Sequence, residues 1–545
     1  MVRTRSQSMG PGDAPYKPPI LGGGGGAASP PPSPGRRAQK WNVPEEDVPI
    51  NPPGTNPHNL PDFLSSIPLK YVKLGYHLFI SHAWKVVLLP VAAGTALELT
   101  TLQWSDLLDL WHQAQSTHVE ISVVLLGLCF SLLLATILTW FFSRANPVYL
   151  VDFECFKPPE ECRVTKKKLI DMQVSVGRFT QESIDFQEKI LARSGLGDHT
   201  YLPSNLLSIP PDISMARARE EAEMVMFTVL EGLFRKTGVN PKDIGVLIVN
   251  CSLFNPTPSL SAMIVNHFKM RSGVQTYNLS GMGCSAGVIS VHLAKELLQV
   301  HSGTLAVVVS TENITQNWYF GNDRSKLIPN TLFRLGGAAV LLSNRRRHWW
   351  TAKYELSETV RTHRGADDES YGCIFQEEDA ERQVGVRLSK EVMAIAGQSL
   401  KVNITTLGPM VLPASEQVLF FANLIARKFL GFKLRPYIPD FKLAFEHFCI
   451  HTGGRGVIDE IEKNLDLAPE NVEPSRKTLE RFGNTSSSSI WYELAYSESM
   501  GRVKRGDRVW QIAFGSGFKC NSGTWRALRT ITDVHEAWAD SLKYR

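Results

Sequence analysis

The stretch NLSGMGCSAGVISVHLAKELLQVHSGTLAVVVS, residues 278–310, decides the fold. It begins as a turn rich in small residues, continues as an apolar helix predicted over Ser285 to Val300, and ends in the apolar run Thr304 to Ser310. Such a run is typical of a buried parallel strand. Upstream, the sequence predicts a helix over Asp212 to Lys236 and a strand over Ile244 to Val249. Helices that alternate with buried strands predict an α/β fold.

The C-terminal part repeats this order of elements. The segment YSESMGRVKRGDRVWQIAFGS, residues 496–516, again reads as a helix, a turn with glycine and basic residues, and an apolar strand. The repeat predicts a duplicated α/β unit, with one half over residues 148–435 and the other over 436–545. The elements predicted in the second half are a strand over Phe445 to Ile450, helices over Val457 to Asn464 and Ile490 to Ser497, and a strand over Val509 to Phe514.

Composition limits the class of protein. The chain has 545 residues, of which 43% are hydrophobic and 20% charged, and its net charge is +5. These values are typical of a globular protein, and no nucleic-acid-binding module accompanies the mild positive charge. The eight cysteines are scattered without a CxxC pair, which predicts a reducing compartment and no zinc site.

The N-terminal region has two parts. Residues 1–66 are rich in Pro, Gly and Ser and predict a disordered arm. Residues 67–147 predict a membrane anchor with apolar stretches over 76–96 and 121–142. The second stretch carries no charge and is long enough to cross about 30 Å of hydrocarbon. The first contains Lys85, so it either spans with that lysine reaching the interface or lies on the surface as an amphipathic helix.

The distribution of basic residues predicts the topology of this anchor. Residues 97–120, between the two stretches, contain no Lys or Arg, whereas Lys70, Lys73, Arg144 and Lys166 lie outside the pair. The positive-inside rule therefore places both flanks, and with them the large C-terminal part, in the cytosol.

Cys284 is the candidate nucleophile. Gly281 and Gly283 permit a tight backbone before it, and an apolar helix begins directly after it. A sulfur at a helix N-terminus is expected to have a lowered thiol pKa and free N–H groups beside it. A small buried cysteine is the alternative, which we assign instead to Cys251 and Cys449 because both lie within apolar strands.

A histidine and an asparagine are the candidate partners of the thiol. The strand EHFCIHTGGRG carries His447 and His451 four residues apart, and His451 stands at the strand end before a glycine-rich loop. Asn484 lies in RFGNTSSSSIWYEL, where a small polar run would let its amide approach a ligand; a helix N-cap is the alternative role. Papain-like proteases also use Cys, His and Asn, but their local signature around the cysteine is absent.

Four motifs in order, NLSGMGCSAG, EHFCIHTGGRGVIDEIEKNL, RFGNTSSSSIWYEL and GSGFKCNSGTW, carry a resemblance to the plant 3-ketoacyl-CoA synthases. The resemblance runs from about residue 70 to the C-terminus and includes the paired membrane segments. It implies a thiolase-type fold, with layers of helices around two mixed sheets. It also implies location at the endoplasmic reticulum.

The resemblance assigns roles to individual residues. It implies a nucleophile at Cys284, a His–Asn pair at His451 and Asn484, and further active-site histidines at His363 and His447. Gly515 and Gly517 are expected to let the backbone approach the substrate. Many members have a histidine just before RFGN, where this chain has Glu480, so that position is either not essential or tuned differently here.

The implied reaction is a decarboxylative condensation of malonyl-CoA with a long or very-long-chain acyl-CoA, without metal or redox cofactor. Expected partners are both CoA thioesters, membrane lipid, the ketoacyl reductase, dehydratase and enoyl reductase of elongation, and a second copy of the chain, but no nucleic acid. Two alternatives stay open at this point. One is a type III polyketide synthase, whose members are generally soluble, and the other is a non-catalytic scaffold of an elongation complex.

Overall fold

The structure is a computed structural model that describes residues 108, 109, 112, 129–136, 146–429, 431 and 437–542. Within these residues, no helix combines the length and the hydrophobicity needed to cross a bilayer. The predicted arm and the stretch over 76–96 lie outside the described residues. Of the stretch over 121–142, residues 129–136 are described; they are helical, and Phe130 and Leu132 are exposed.

Strands and helices alternate from residue 149 onward, as predicted. The strands are β1 Tyr149–Cys155, β2 Arg163–Thr165, β3 His199–Tyr201, β4 Ile244–Asn250, β5 Gln275–Leu279, β6 Leu305–Thr311, β7 Gly337–Ser343, β8 Tyr354–His363, β9 Ile374–Glu378, β10 Val384–Leu388, β11 His447–Ile450, β12 Arg508–Gly515 and β13 Lys519–Ala527. The helices are α1 Lys166–Val176, α2 Gln181–Arg193, α3 Met215–Thr237, α4 Leu260–Phe268, α5 Ala286–Val300, α6 Arg324–Leu332, α7 Asp368–Gly372, α8 Val392–Val411, α9 Ala414–Lys428, α10 Arg455–Asn464, α11 Pro469–Phe482, α12 Ser489–Ser499 and α13 Glu536–Leu542.

Local signals explain where the helices begin and end. Ser214 caps α3 by accepting a hydrogen bond from the N–H of Arg217, and Gly238, in the left-handed conformation, ends it. Ser259 caps α4 in the same way. Every residue of β4, β6 and β7 is buried, as their continuous apolar sequences predict.

Nine strands form one sheet in the order β5-β4-β6-β7-β1-β8-β13-β12-β11. Eight of these strands form two sets of four, and β5, which pairs parallel with β4, lies at the edge of the sheet outside both. In the first set, which consists of β4, β6, β7 and β1, the β4–β6 pair is parallel, while β6–β7 and β7–β1 are antiparallel. In the second set, β11 and β12 are parallel, while β12–β13 and β13–β8 are antiparallel. The two sets therefore repeat one four-strand pattern.

The resemblance implied two mixed sheets, and this expectation is wrong. The structure has one continuous sheet, because β1 of the first set pairs with β8 of the second. They pair antiparallel at only two positions, Tyr149 with Glu355 and Leu150 with Tyr354. The predicted division at residue 435 stays a prediction, but β8, which completes the second set, lies upstream of it. The larger hydrophobic core lies around β4, β6, β7 and α5 and also contains residues of α12, β12 and β13, so it spans both sets, and a second core lies around α8, β11 and β12.

Candidate active site

A cavity of about 550 Å³ lies at one edge of the sheet, where strands of both sets end. Cys284 lies on the turn after β5, Glu312 directly follows β6, and His451 directly follows β11. Asn484 also lines the cavity, although it lies on the loop after α11. The predicted nucleophile and both of its predicted partners therefore meet in one space.

The turn that carries Cys284 depends on two glycines. Gly281 and Gly283 have φ angles of 65° and 64°, which favour residues without a Cβ atom. A Cβ atom on Gly283 would lie 2.6 Å from the backbone nitrogen of Ser516, so this position also allows two loops to pack closely. Residues Gly283–Ser285 form a 3-10 turn that leads directly into α5. The helix N-terminus predicted beside the sulfur is thus present.

The expected lowering of the Cys284 pKa is wrong. Burial of the sulfur raises its pKa to about 12, and a hydrogen bond from the Ser486 hydroxyl, whose oxygen lies 3.6 Å away, only partly opposes this. Nearby Glu312 raises it further. Loss of water around the thiolate outweighs the helix dipole here. Burial therefore favours the neutral thiol of Cys284 over its thiolate.

His451 is held as a neutral imidazole. Its side chain is buried, and burial lowers its pKa to about 4. Its Nδ1 atom lies 2.8 Å from the Ser489 hydroxyl oxygen at the start of α12. A hydroxyl can donate to Nδ1 or accept from it, so Nε2 can carry a proton or take one up.

The backbone and the neighbouring loop fix the orientation of Asn484. Its N–H donates to the Leu332 carbonyl at 3.0 Å, and its carbonyl accepts from the N–H of Arg334 at 2.9 Å. Its side-chain oxygen Oδ1 accepts from the N–H of Ser486 at 2.8 Å. The side-chain NH2 group therefore remains to donate into the cavity. Asn484 is not a helix N-cap, because the 3-10 turn Ser486–Ser488 separates it from α12.

Glu312 and Ser486 belong to the site and were missed by the sequence analysis. The Ser486 hydroxyl lies within hydrogen-bond distance of both the Cys284 sulfur and Glu312 Oε2, the latter at 3.2 Å. Glu312 also accepts from the N–H groups of Ser252 and Leu253, and burial raises its pKa. Ser486 has φ 55°, a left-handed conformation uncommon for serine, which the surrounding contacts must stabilise.

His363 and His447 are not equivalent in the structure. His363 ends β8 and lines the cavity, and burial together with Lys519 and Arg361 lowers its pKa. His447 begins β11 and is not among the described residues that line the cavity; its Nε2 lies 2.8 Å from Asp507 Oδ2. Regular alternation predicts His447 and His451 on one face, but about 13 Å of strand separates them. Of these two histidines, only His451 lines the cavity.

The glycine-rich loop after β12 borders the cavity as predicted. Gly515 and Gly517 both line it, together with Lys519. A Cβ atom on Gly515 would collide with the Met282 carbonyl, so this glycine lets the loop approach the cysteine turn. Glu480 lies elsewhere, on α11, where its carboxylate pairs with Lys477 at 2.8 Å.

One wall of the cavity is apolar. The hairpin of β9 and β10 contributes Ile374, Phe375 and Val386, and α8 contributes Val392 and Ala396. These residues gave no distinct sequence signal, because short apolar runs occur throughout the chain. The site therefore combines a polar end around Cys284 with an apolar region suited to a hydrocarbon.

Comparisons with known proteins identify the family. Residues 140–429 match the model of the FAE1/Type III polyketide synthase-like protein family, and residues 444–527 match that of the 3-Oxoacyl-[acyl-carrier-protein (ACP)] synthase III C terminal. The chain is 59% identical over 486 residues to 3-ketoacyl-CoA synthase 11 of Arabidopsis thaliana, covering 89% of this chain and 94% of that protein.

The chain belongs to the 3-ketoacyl-CoA synthase family. It is 58% identical to 3-ketoacyl-CoA synthase 4 of the same plant, over 89% of this chain and 93% of that protein. Membership confirms the predicted resemblance and makes the chain an acyl-condensing transferase.

Solved structures confirm the thiolase-like fold of type III polyketide synthases. The chain resembles 1,3,6,8-tetrahydroxynaphthalene synthase from Streptomyces coelicolor A3(2), with a TM-score of 0.57 and 18% identity, over 70% of this chain and 99% of that one. It resembles the type III polyketide synthase domain of Steely1 from Dictyostelium, with a TM-score of 0.56 and 16% identity, over 70% of this chain and all of that one. At these identities the likeness concerns the fold alone.

Proposed function

We propose that this 3-ketoacyl-CoA synthase condenses malonyl-CoA with a long or very-long-chain acyl-CoA to give a 3-oxoacyl-CoA two carbons longer. The observation that carries the proposal is the meeting of Cys284, His451 and Asn484 at the polar end of a cavity with an apolar wall. The three side chains supply a nucleophile, a neutral imidazole and an amide donor. The apolar wall supplies a surface on which an acyl chain loses contact with water.

In the first half-reaction, Cys284 takes the acyl group from acyl-CoA. The neutral His451 accepts the thiol proton as the sulfur attacks the thioester carbonyl. A bond forms between sulfur and the acyl carbon, the bond to the CoA sulfur breaks, and the proton passes to the departing CoA thiolate. Because burial raises the pKa of Cys284 and lowers that of His451, proton transfer from the resting thiol is unfavourable, and we propose that it occurs together with attack on the bound thioester.

In the second half-reaction, malonyl-CoA loses CO2 and becomes an enolate. The negative oxygen needs hydrogen-bond donors, which are the NH2 group of Asn484 and, in the other tautomer, the Nε2–H of His451. Each such donor lowers the barrier by about 3 kcal/mol. The enolate carbon attacks the Cys284 thioester, and the sulfur leaves as a thiolate that takes up one proton. Decarboxylation itself generates the nucleophile, so the reaction needs no metal or redox cofactor.

His363 and Lys519 are proposed to assist through hydrogen bonding and charge. Both line the cavity beside Gly515 and Gly517, where a carboxylate or phosphate of the substrates would meet the positive charge of Lys519 and a hydrogen-bonding nitrogen of the neutral His363 ring. His447 is proposed to act only at a distance, through its contact with Asp507 at the start of β12.

The cellular setting is also a proposal. The apolar stretch over 121–142 and the basic flanks favour an anchor in the endoplasmic reticulum membrane with the catalytic part in the cytosol. There the product would pass to a ketoacyl reductase, a dehydratase and an enoyl reductase. Isolation of the full chain in detergent, followed by light scattering, tests whether two copies associate.

The proposed reaction is tested in microsomes that express the full chain, its Cys284→Ala variant and a control Cys129→Ala variant. Labelled malonyl-CoA is supplied with acyl-CoAs of several lengths. We expect labelled 3-oxoacyl-CoA with the wild type and the control and none with Cys284→Ala. Equal elongation by Cys284→Ala would contradict the proposal and favour a scaffold, and product from an aromatic starter alone would favour polyketide synthesis.

A further inference from the structure

A second surface cavity, of about 610 Å³, lies apart from the catalytic one. Asn146, Gly303 and the three consecutive arginines Arg345, Arg346 and Arg347 line it. We call residues 344–350 the arginine–tryptophan turn, because the sequence continues through a histidine to two tryptophans.

Hydrogen bonds hold the first two residues of the arginine–tryptophan turn against the turn before β6. Asn344 Nδ2 donates to the His301 carbonyl at 2.7 Å, and its Oδ1 accepts from the N–H of Thr304 at 2.7 Å. Arg345 Nε donates to the Gly303 carbonyl at 2.8 Å. These bonds hold the backbone in place, and Arg346 and Arg347 are exposed beyond it.

The two tryptophans at the end of the turn differ in their contacts. Trp349 packs edge-on against Tyr149, with ring centroids 6.3 Å apart, and the Arg526 guanidinium lies 5.8 Å from its ring. Trp350 is 83% exposed. An exposed indole beside arginines is typical of the boundary between a bilayer and water, where the ring meets the headgroups.

The chain itself brings this surface close to the proposed anchor. Asn146 is fixed to α5, because its N–H donates to Gln299 Oε1 at 2.7 Å and its carbonyl accepts from Gln299 Nε2 at 2.9 Å. Three residues separate it from Phe142, the last residue of the apolar stretch, so four Cα–Cα steps join the two. Four extended residues reach about 14 Å. A bilayer that holds this stretch therefore lies within that distance of Asn146, which lines the same cavity as the arginines.

The position of the turn in the sheet separates it from the catalytic cavity. The turn follows β7, whose last residue, Ser343, pairs with Tyr149 and Leu305 at the starts of β1 and β6. The catalytic cavity lies at the other ends of these strands, where Thr311 pairs with Gly337. Seven strand residues separate the two edges by about 20 Å. The arginines therefore do not line the space in which the thioesters react.

We propose that the arginine–tryptophan turn docks on the headgroups of anionic membrane lipids. Guanidinium groups bind phosphates through paired N–H donors, and Trp350 inserts its ring at the headgroup level. Glu355, near the turn, is paired with Arg526 at 2.6 Å. The inference rests on the proposed membrane anchor and adds a second point of contact, which fixes how the catalytic part is oriented on the bilayer.

The test places a photoreactive p-benzoylphenylalanine at position 350 of the full chain. The protein is reconstituted into phosphatidylcholine vesicles that contain labelled phosphatidylserine, and ultraviolet light then links the probe to its neighbours. The control carries the probe at Val384, which is also exposed but lies on the β9–β10 hairpin. We expect about fivefold more labelled lipid on position 350 than on position 384, and a loss of most of it in high salt.

A double variant tests the contribution of the arginine charges while the probe stays at position 350. Arg346→Gln/Arg347→Gln should reduce labelling at position 350 about fivefold, whereas the control Lys189→Gln/Arg382→Gln should leave it unchanged. Equal labelling at positions 350 and 384 would overturn the inference. Equal labelling at position 350 with and without the two arginine substitutions would also overturn it. Extraction of the wild type by alkaline carbonate would instead show that the anchor fails. Condensing activity in detergent, unchanged in the double variant, shows that the fold is intact.

Discussion

The two four-strand sets share one arrangement of strands and turns but carry different side chains at equivalent positions. Cys251 directly follows β4, and His451 directly follows the corresponding strand β11. Cys284 lies in a 3-10 turn before α5, and the corresponding 3-10 turn Ser486–Ser488 lies before α12. The first set thus supplies the proposed nucleophile from its turn, whereas the second supplies His451 from its strand end and Asn484 from just before its turn.

The two turns meet between the sets. Ser486 Oγ lies 3.6 Å from the Cys284 sulfur, and a Cβ atom on Gly287 would collide with the Ser487 carbonyl. Cys251, at the place equivalent to His451, is buried and contacts Glu312, and burial raises its pKa well above the ordinary value. Equivalent backbone positions therefore carry a proposed catalytic residue, His451, in one set and a buried cysteine, Cys251, in the other.

The largest expected effect comes from removing the side chain of Asn484, which the second set supplies. Asn484→Ala removes a donor to the enolate and should lower kcat for condensation by about 100- to 1000-fold. It should also abolish release of CO2 from malonyl-CoA in the absence of acyl-CoA. Cys284→Ala should abolish condensation but retain CO2 release, because His451 and Asn484 remain. Release of labelled CO2 is measured for both variants. An equal loss of CO2 release in both would contradict the proposed division of roles between Cys284 and Asn484.

The next effect concerns pH. The pKa of His451 falls from about 6.5 in the unfolded chain to about 4 in the fold, so below pH 6.5 the unfolded chain binds more protons. This group's contribution to stability is present above pH 6.5 and is lost as the pH falls toward 4, by about 3 kcal/mol. Denaturant unfolding of wild type and His451→Gln over this range should give curves that converge at low pH. Parallel curves would argue against a buried neutral histidine.

A smaller effect is expected from separating the two turns. Gly287→Ala places a methyl group against the Ser487 carbonyl and should lower the free energy of unfolding by about 2 kcal/mol. Gly456→Ala, on α10, meets only the end of the Met393 side chain, at 3.9 Å, and should be neutral or slightly stabilising. Thermal unfolding compares the two variants. An equal change in both would show that the turns need no close contact.

The smallest effect should follow the loss of one orienting hydrogen bond. Ser489→Ala removes the partner of His451 Nδ1 and should lower kcat about tenfold, with KM little changed. Ser489→Thr keeps the hydroxyl and should recover most of the rate. If Ser489→Thr lowers kcat as much as Ser489→Ala does, packing at this position and not the hydrogen bond to His451 determines the rate.

The sequence predicted what local patterns encode. The glycines before Cys284, the apolar runs of β4 and β6, and the strand end at His451 were each visible in a few consecutive residues. The contact of Glu312 with Ser486 was not, because it joins residues far apart in the sequence. His447 was placed with the site by the family resemblance, whereas the structure places it at the opposite end of β11 from His451. The pKa of Cys284 was misjudged because the sequence shows a helix start but not the burial of the sulfur.

The central claim is that Cys284 carries the acyl group between the two half-reactions. The purified full chain is mixed with a long-chain acyl-CoA without malonyl-CoA, and the protein is digested and analysed by mass spectrometry. The account predicts one acyl group on the peptide that contains Cys284, which disappears when malonyl-CoA is added. Acylation of another residue, or turnover without any acylated Cys284 peptide, would contradict it.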